Sequence, residues 1–256
     1  MKIQLSNSEQ SPEAEILWNH VQQSIIDEVT SHKAVPPDDC YDHTEIYTCG
    51  PLGIPTWHQN APYKGDLPYI NCNGSQFQVK VGCMPLAMAA VMRYHEHPTS
   101  YNWSQMYYGY STSTTEAIIA DIHDEINSEY PALPVYTCTG TGVGGDMSWV
   151  LKNNFDYSNA ILANYNYQTV VNNIAYDRPV ILTGEDPTYG KHSWVCSGYR
   201  WYTYYNADCT ATSSLHFYMY WGYENAANNG WYSEGNFNPG VYSYNNNKTM
   251  IYNIIP

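Results

Sequence analysis

A chain of 256 residues is long enough for one large domain or two packed halves, and a hydrophobic fraction of 43% excludes a disordered polymer. Only 13% of the residues are charged and the formal balance is −14, so phosphate backbones are repelled and nucleic acid is excluded as a partner. No stretch reaches the roughly 18 consecutive apolar residues of a membrane span.

The opening MKIQLSNSEQSPEAE has no apolar core of a signal peptide. Residues 11–31 place Ser and Pro where a helix cap and first turn want them, and Leu17, Val21, Ile25 and Val29 form one apolar stripe. The spacing predicts an amphipathic helix, broken at VPPDDC (35–40), whose stripe docks on the body of the protein or on a further segment. From about 50 to 80 the chain is rich in Gly, Pro and Asn and reads as loop. A helix begins near residue 83, a second covers 115–126, a third 147–155 after the glycine-rich loop 139–146, and a fourth 169–176. That loop lacks the Lys-Ser/Thr of a phosphate loop. After Pro179 the runs PVILTG, HSWVCSGYRWY, LHFYMYWGY, GWYSEGNF and TMIYNII are short, aromatic and β-branched, and read as antiparallel strands. The expected class is α+β with two lobes, and a site in the cleft between them.

Seven cysteines read, in an oxidising compartment, as pairs plus one left-over thiol. Local pairs such as Cys40–Cys49 and Cys196–Cys209 are among the 15 connectivities that six cysteines allow. An exported protein, starting here after its signal, is the expectation that this count favours. Cys83 stands out because Leu86, Met88, Ala89, Ala90, Val91 and Met92 cover nearly every face of the helix it opens, with Pro85 in the first turn. A thiol there meets the positive end of the helix dipole and free backbone N–H groups, which favour thiolate and are able to bind an oxyanion. The same position also suits a small core cysteine. The base of a nucleophilic pair is sought in His192, at the start of a strand after a glycine turn. His95 and His97 lie about 18 Å down the Cys83 helix. A zinc site of Cys72, Cys83, His95 and His97 matches no standard ligand spacing, so neither metal nor cofactor is expected.

The stretches TWHQNAPYK, VGCMPLAMAAVMRYHEHP, VLKNNFDY, RPVILTG, HSWVCSGY, YWGY, NGWY and the closing IIP occur in the order of the streptopain family of secreted papain-like cysteine peptidases, which residues 50–256 resemble. The resemblance implies a papain-like fold, with a helical lobe carrying Cys83 as nucleophile and an antiparallel β lobe carrying His192 as general base and acid. It implies an oxyanion hole from the Gln59 amide and the Cys83 N–H, and no cofactor. Protein or peptide substrates with a hydrophobic residue two places before the cut are implied as well. Residues 1–45 are then a propeptide remnant, linker or docked helix, and 46–256 the peptidase domain, divided near residue 165. Two departures stand out. Only 109 positions separate Cys83 from His192, against roughly 130–150 in papain proper. Where the family often shows Asn-Trp-Gly-Trp-Gly-Gly, this chain reads Tyr220-Trp221-Gly222-Tyr223-Glu224-Asn225. Tyr220 thus takes the asparagine position, Trp221 is the expected histidine-orienting residue, and Tyr223 reads as strand core. The competing reading is a catalytically inactive relative that binds a peptide, a partner protein or, through its eight tryptophans and 27 tyrosines, a glycan.

Overall fold

Alternation along three strands sorts the apolar residues of this protein into two cores. The structure, a computed structural model, describes residues 40–132, 136 and 145–256. The helix expected over 11–31 and most of the glycine-rich loop lie outside these residues. Contacts divide the described chain into two units, 40–45 with 204–212 and 46–203 with 213–256.

In the smaller unit the disulfide Cys40–Cys209 is the main tie. His43 stacks on Tyr41 at 4.5 Å and on Tyr205 at 4.6 Å. Cys72 is also disulfide-bonded, whereas Cys49, Cys83 and Cys196 carry free thiols. The expected pairs Cys40–Cys49 and Cys196–Cys209 are therefore wrong. Strand β1 (His43–Cys49) stretches between the first two, and a seven-residue strand extends about 20 Å, far beyond a disulfide's reach. Cys196 lies within strand β6 with its side chain sealed in the core, and Cys209 lies past that strand's end.

The larger unit is built on a sheet in the order β4 (Asn159–Asn164), β9 (Asn246–Ile255), β5 (Val180–Asp186), β6 (Gly190–Tyr205), β7 (Ala211–Tyr220), β8 (Gly230–Ser233), with β1 paired to β6. The β5–β6, β5–β9, β4–β9 and β7–β8 pairings are antiparallel. Successive strand residues face opposite sides, so Ile181, Val195 and Ile251 enter one core while Val180, Leu182, Trp194, Cys196 and Met250 enter the other. Helices α1 (Cys83–His95), α2 (Ser113–Glu129) and α3 (Met147–Asn154) pack on the first face, where α1 buries every residue from Met84 to Met92 and α2 adds Ile118, Ile119, Ile122 and Ile126 to the same core. Helix α4 (Tyr167–Ala175) lays Val170 and Ile174 on the second core.

Local chemistry sets the helix starts. Thr112 accepts from the Thr115 N–H before α2, Asp146 from the Ser148 N–H before α3, and Asn166 from the Thr169 N–H before α4. The segment read as loop contains one hairpin, β2 (Tyr69–Cys72) with β3 (Ser75–Gln78). Its turn residues Asn73 and Gly74 have φ of 52° and 87°, the two positive values a tight Asn-Gly hairpin turn requires.

Candidate active site

Helix α1 begins at Cys83 because Gly82 takes φ 78° and ψ 151° as its N-cap, a backbone that side-chain-bearing residues rarely adopt. The approach to that turn is pinned from two sides. The Val81 N–H donates to the Gln59 carbonyl at 3.2 Å, and the Val81 carbonyl accepts from Nε2 of the fully buried His123 at 2.7 Å. Gln59 is thus tied to the Cys83 turn through its backbone. Burial pushes the Cys83 thiol up from its ordinary value. The backbone and hydroxyl of Ser193, with the N–H groups of Met84 and Cys83, pull it down without overcoming that effect. The helix-start N–H groups act in the expected direction, toward thiolate, while desolvation acts against them and is the larger effect.

His192 stands three positions into β6 and is 5% exposed. Its Nε2 lies 2.8 Å from the carbonyl oxygen of Trp221. A carbonyl only accepts, so Nε2 carries the proton and Nδ1 is the bare nitrogen. Burial lowers its pKa to about 4, and the Trp221 carbonyl, which favours the charged form, does not offset it. Strand alternation turns the imidazole toward the Trp194 side, with ring centroids 6.1 Å apart, and turns Ser193 toward the thiol.

The ring nearest the imidazole is not that of Trp221, at 6.2 Å, but that of Tyr223, at 4.8 Å, with Tyr244 at 5.0 Å. The two tyrosine hydroxyls share a hydrogen bond of 2.8 Å, and both phenols lie within electrostatic reach of the Cys83 sulfur. Tyr223 is therefore part of the wall shared by Cys83 and His192 rather than plain strand core. Trp221 meets His192 through its backbone carbonyl, while its ring, 1% exposed, packs on Trp194 at 4.6 Å.

A pocket opens beside Cys83, lined by Ile54, Leu86, Ala87, Ala90, Val195, Tyr220 and Gly222 among others. Gly222 has φ +70°, and a Cβ there would stand 2.6 Å from Leu86 Cδ2. Asn60 donates to the Glu224 carboxylate at 2.8 Å, joining the Gln59 loop to the segment after Trp221. Cys83, Trp221 and Ser193 thus line one pocket, and His192 adjoins it through its bond to Trp221. Sequence reasoning missed Ser193, His123 and Tyr244. For Ser193 a signal existed, since the residue after His192 must face the opposite side of the strand.

The family model described as the Peptidase C10 family matches residues 57–130, a span that holds Gln59 and Cys83. No curated protein matches. Among solved structures, the active wild-type interpain A cysteine protease of Prevotella intermedia is similar at a TM-score of 0.60 and 20% identity, over 80% of this chain and 94% of its own. A fragment of P. intermedia prointerpain A is similar at 0.58 and 20% identity, over 98% of this chain and 87% of its own. At this identity the two structures show the fold, a mixed assembly of helices and antiparallel sheet.

Proposed function

We propose that this chain, a cysteine-type peptidase of the peptidase C10 (streptopain) family, cuts protein chains internally through a thioester on Cys83. The observation that carries the reading is the fixed tautomer of His192, whose ring stacks on Tyr223, itself within electrostatic reach of Cys83. Burial favours the neutral form of each group. As Sγ attacks the substrate carbonyl carbon, the thiol proton passes to His192 Nδ1, and the oxyanion accepts from the Cys83 N–H and the Gln59 side-chain amide. The imidazolium then protonates the leaving amine as the C–N bond breaks. Water, deprotonated by His192, attacks the thioester, and the acid product leaves with the thiol restored.

In this reading the helices and sheet of residues 46–256 are the two lobes of a papain-like enzyme. The apolar walls Leu86, Ala87, Ala90 and Val195 suit a hydrophobic substrate residue. Residues 1–45 are assigned as propeptide remnant, linker or docked helix. Export is supported by the Cys40–Cys209 disulfide and by the bonded state of Cys72.

A second reading, an inactive relative that binds peptide, partner protein or glycan, is favoured by Tyr220 at the family's asparagine position and by desolvation that favours the neutral thiol and imidazole. Hydrolysis of casein and of fluorogenic peptides by wild type, Cys83→Ala and His192→Ala separates the two. Activity in the wild type alone supports the peptidase. A wild type that neither cuts nor takes up an epoxysuccinyl label at Cys83 leaves the binding protein.

A further inference from the structure

We infer that Asn229 is a positioning residue for His192, acting through the backbone of Trp221. The inference rests on the peptidase reading above. Asn229 Oδ1 accepts the Trp221 N–H at 2.9 Å, and the Trp221 carbonyl accepts from His192 Nε2 at 2.8 Å. Trp221 lies one residue past the end of β7, and the φ of +70° at Gly222 turns the chain away immediately after it. Its backbone is therefore held by side chains rather than by a strand ladder.

Asn229 is itself well anchored. Its N–H donates to the Ala226 carbonyl at 2.9 Å, closing the 3-10 turn Ala226–Asn228. Asn225 caps that turn by accepting the Ala227 N–H at 3.1 Å. One amide oxygen thus fixes the Trp221 backbone and, through it, the direction of the carbonyl that selects the His192 tautomer. Removing that oxygen leaves a part-buried N–H without its partner and frees the carbonyl to turn. The imidazole proton is then no longer confined to Nε2, and the nitrogen that must receive the thiol proton is protonated in part of the molecules. Tyr220, at the position where the family often carries asparagine, lines the same pocket as Asn229. In this chain an asparagine serves the histidine at one remove, through the N–H and the carbonyl on either side of the Trp221 Cα.

The test compares Asn229→Ala and Asn229→Asp in the full chain, Asp keeping the accepting oxygen. Misplacement of a catalytic group by about 1 Å costs up to a hundredfold, so Asn229→Ala is expected to lose about ten- to a hundredfold in kcat with KM little changed. Asn229→Asp is expected to recover most of that loss. Nitrogen-15 NMR of the histidines gives a readout independent of turnover. In wild type and Asn229→Asp the His192 Nε2–H is expected as one slowly exchanging signal, and in Asn229→Ala as an averaged or fast-exchanging one. An unchanged Nε2–H signal in Asn229→Ala, with matching circular dichroism, overturns the inference whether or not the wild type is active. An inactive wild type whose Nε2–H signal still responds to Asn229 sinks the peptidase reading and leaves the positioning role standing.

Discussion

Desolvation and hydrogen bonding compete at Cys83, and their balance sets the charge of the resting site. With burial dominant, alkylation of Cys83 by iodoacetamide is expected to rise with pH and to stay slow below the ordinary thiol range. A rate plateau extending down to pH 6 contradicts this and signals a resting thiolate. Trp221 holds His192 through its backbone carbonyl rather than its ring, and Tyr223 supplies the ring nearest the imidazole. Trp221→Ala keeps the carbonyl that holds His192 and is expected to cost about 3–5 kcal/mol of stability, the usual range for emptying a buried tryptophan site. Tyr223→Leu removes the ring lying on the imidazole and the partner of the Tyr244 hydroxyl, and is expected to lower kcat more than it raises KM. Steady-state kinetics and thermal melts of the two variants check both statements. The special place of Cys83 was legible because the apolar helix and its glycine approach lie within a few residues of it. The wall formed by Tyr223 and Tyr244 was not, since 21 positions separate them and only the sheet brings them to His192.

Helix α1 illustrates what local pattern supports. Its start at Cys83, its burial on every side and its end at the left-handed Glu96 (φ 52°) follow from Gly82, the apolar run and the polar stretch after Met92. Helices α2, α3 and α4 were readable within a few residues, because their caps and stripes are local. The hairpin β2–β3 was hidden in a run rich in Gly, Pro and Asn, though its Asn-Gly pair carried the signal. Strands β1 and β4 depend on partners far along the chain, β6 and β9, and six or seven residues of mixed polarity do not announce such pairings. The link between the end of β7 and the pocket is testable at Gly222. An alanine there takes a positive φ, at a cost of about 1–2 kcal/mol. Its Cβ also meets Leu86 across the pocket. Gly222→Ala is expected to melt earlier and to raise KM most for substrates with bulky apolar residues. An unaltered preference between small and bulky residues removes this pocket from substrate recognition.

At the scale of the whole molecule, the buried His123 and His192 and the half-buried His95 tie stability to pH. His95, His123 and His192 are each lowered to about 4 from an ordinary 6.5, burial being the largest cause in every case. Between those values the unfolded chain binds protons that the fold refuses, so stability is greatest above about pH 6.5. It falls as the pH drops toward 4, on the order of 3 kcal/mol for each group over the full window. Burial tends to raise the Asp186 pKa, but the N–H groups of Ser243, Thr188 and Tyr189 outweigh it and hold the carboxylate low. Its stabilising contribution is also lost in acid. Denaturant midpoints at pH 7 and pH 5 are expected to differ accordingly, and equal midpoints contradict the burial of these imidazoles. The reaction itself is tested most directly by incubating wild type and Cys83→Ala with an epoxysuccinyl peptide and a fluorogenic substrate, then mapping the label by mass. One label per wild-type chain, at Cys83, with turnover lost in step and no turnover in Cys83→Ala, is the result expected of a Cys83 nucleophile. Turnover that survives in Cys83→Ala, or a label that settles on Cys49 while Cys83 stays unmodified, contradicts it.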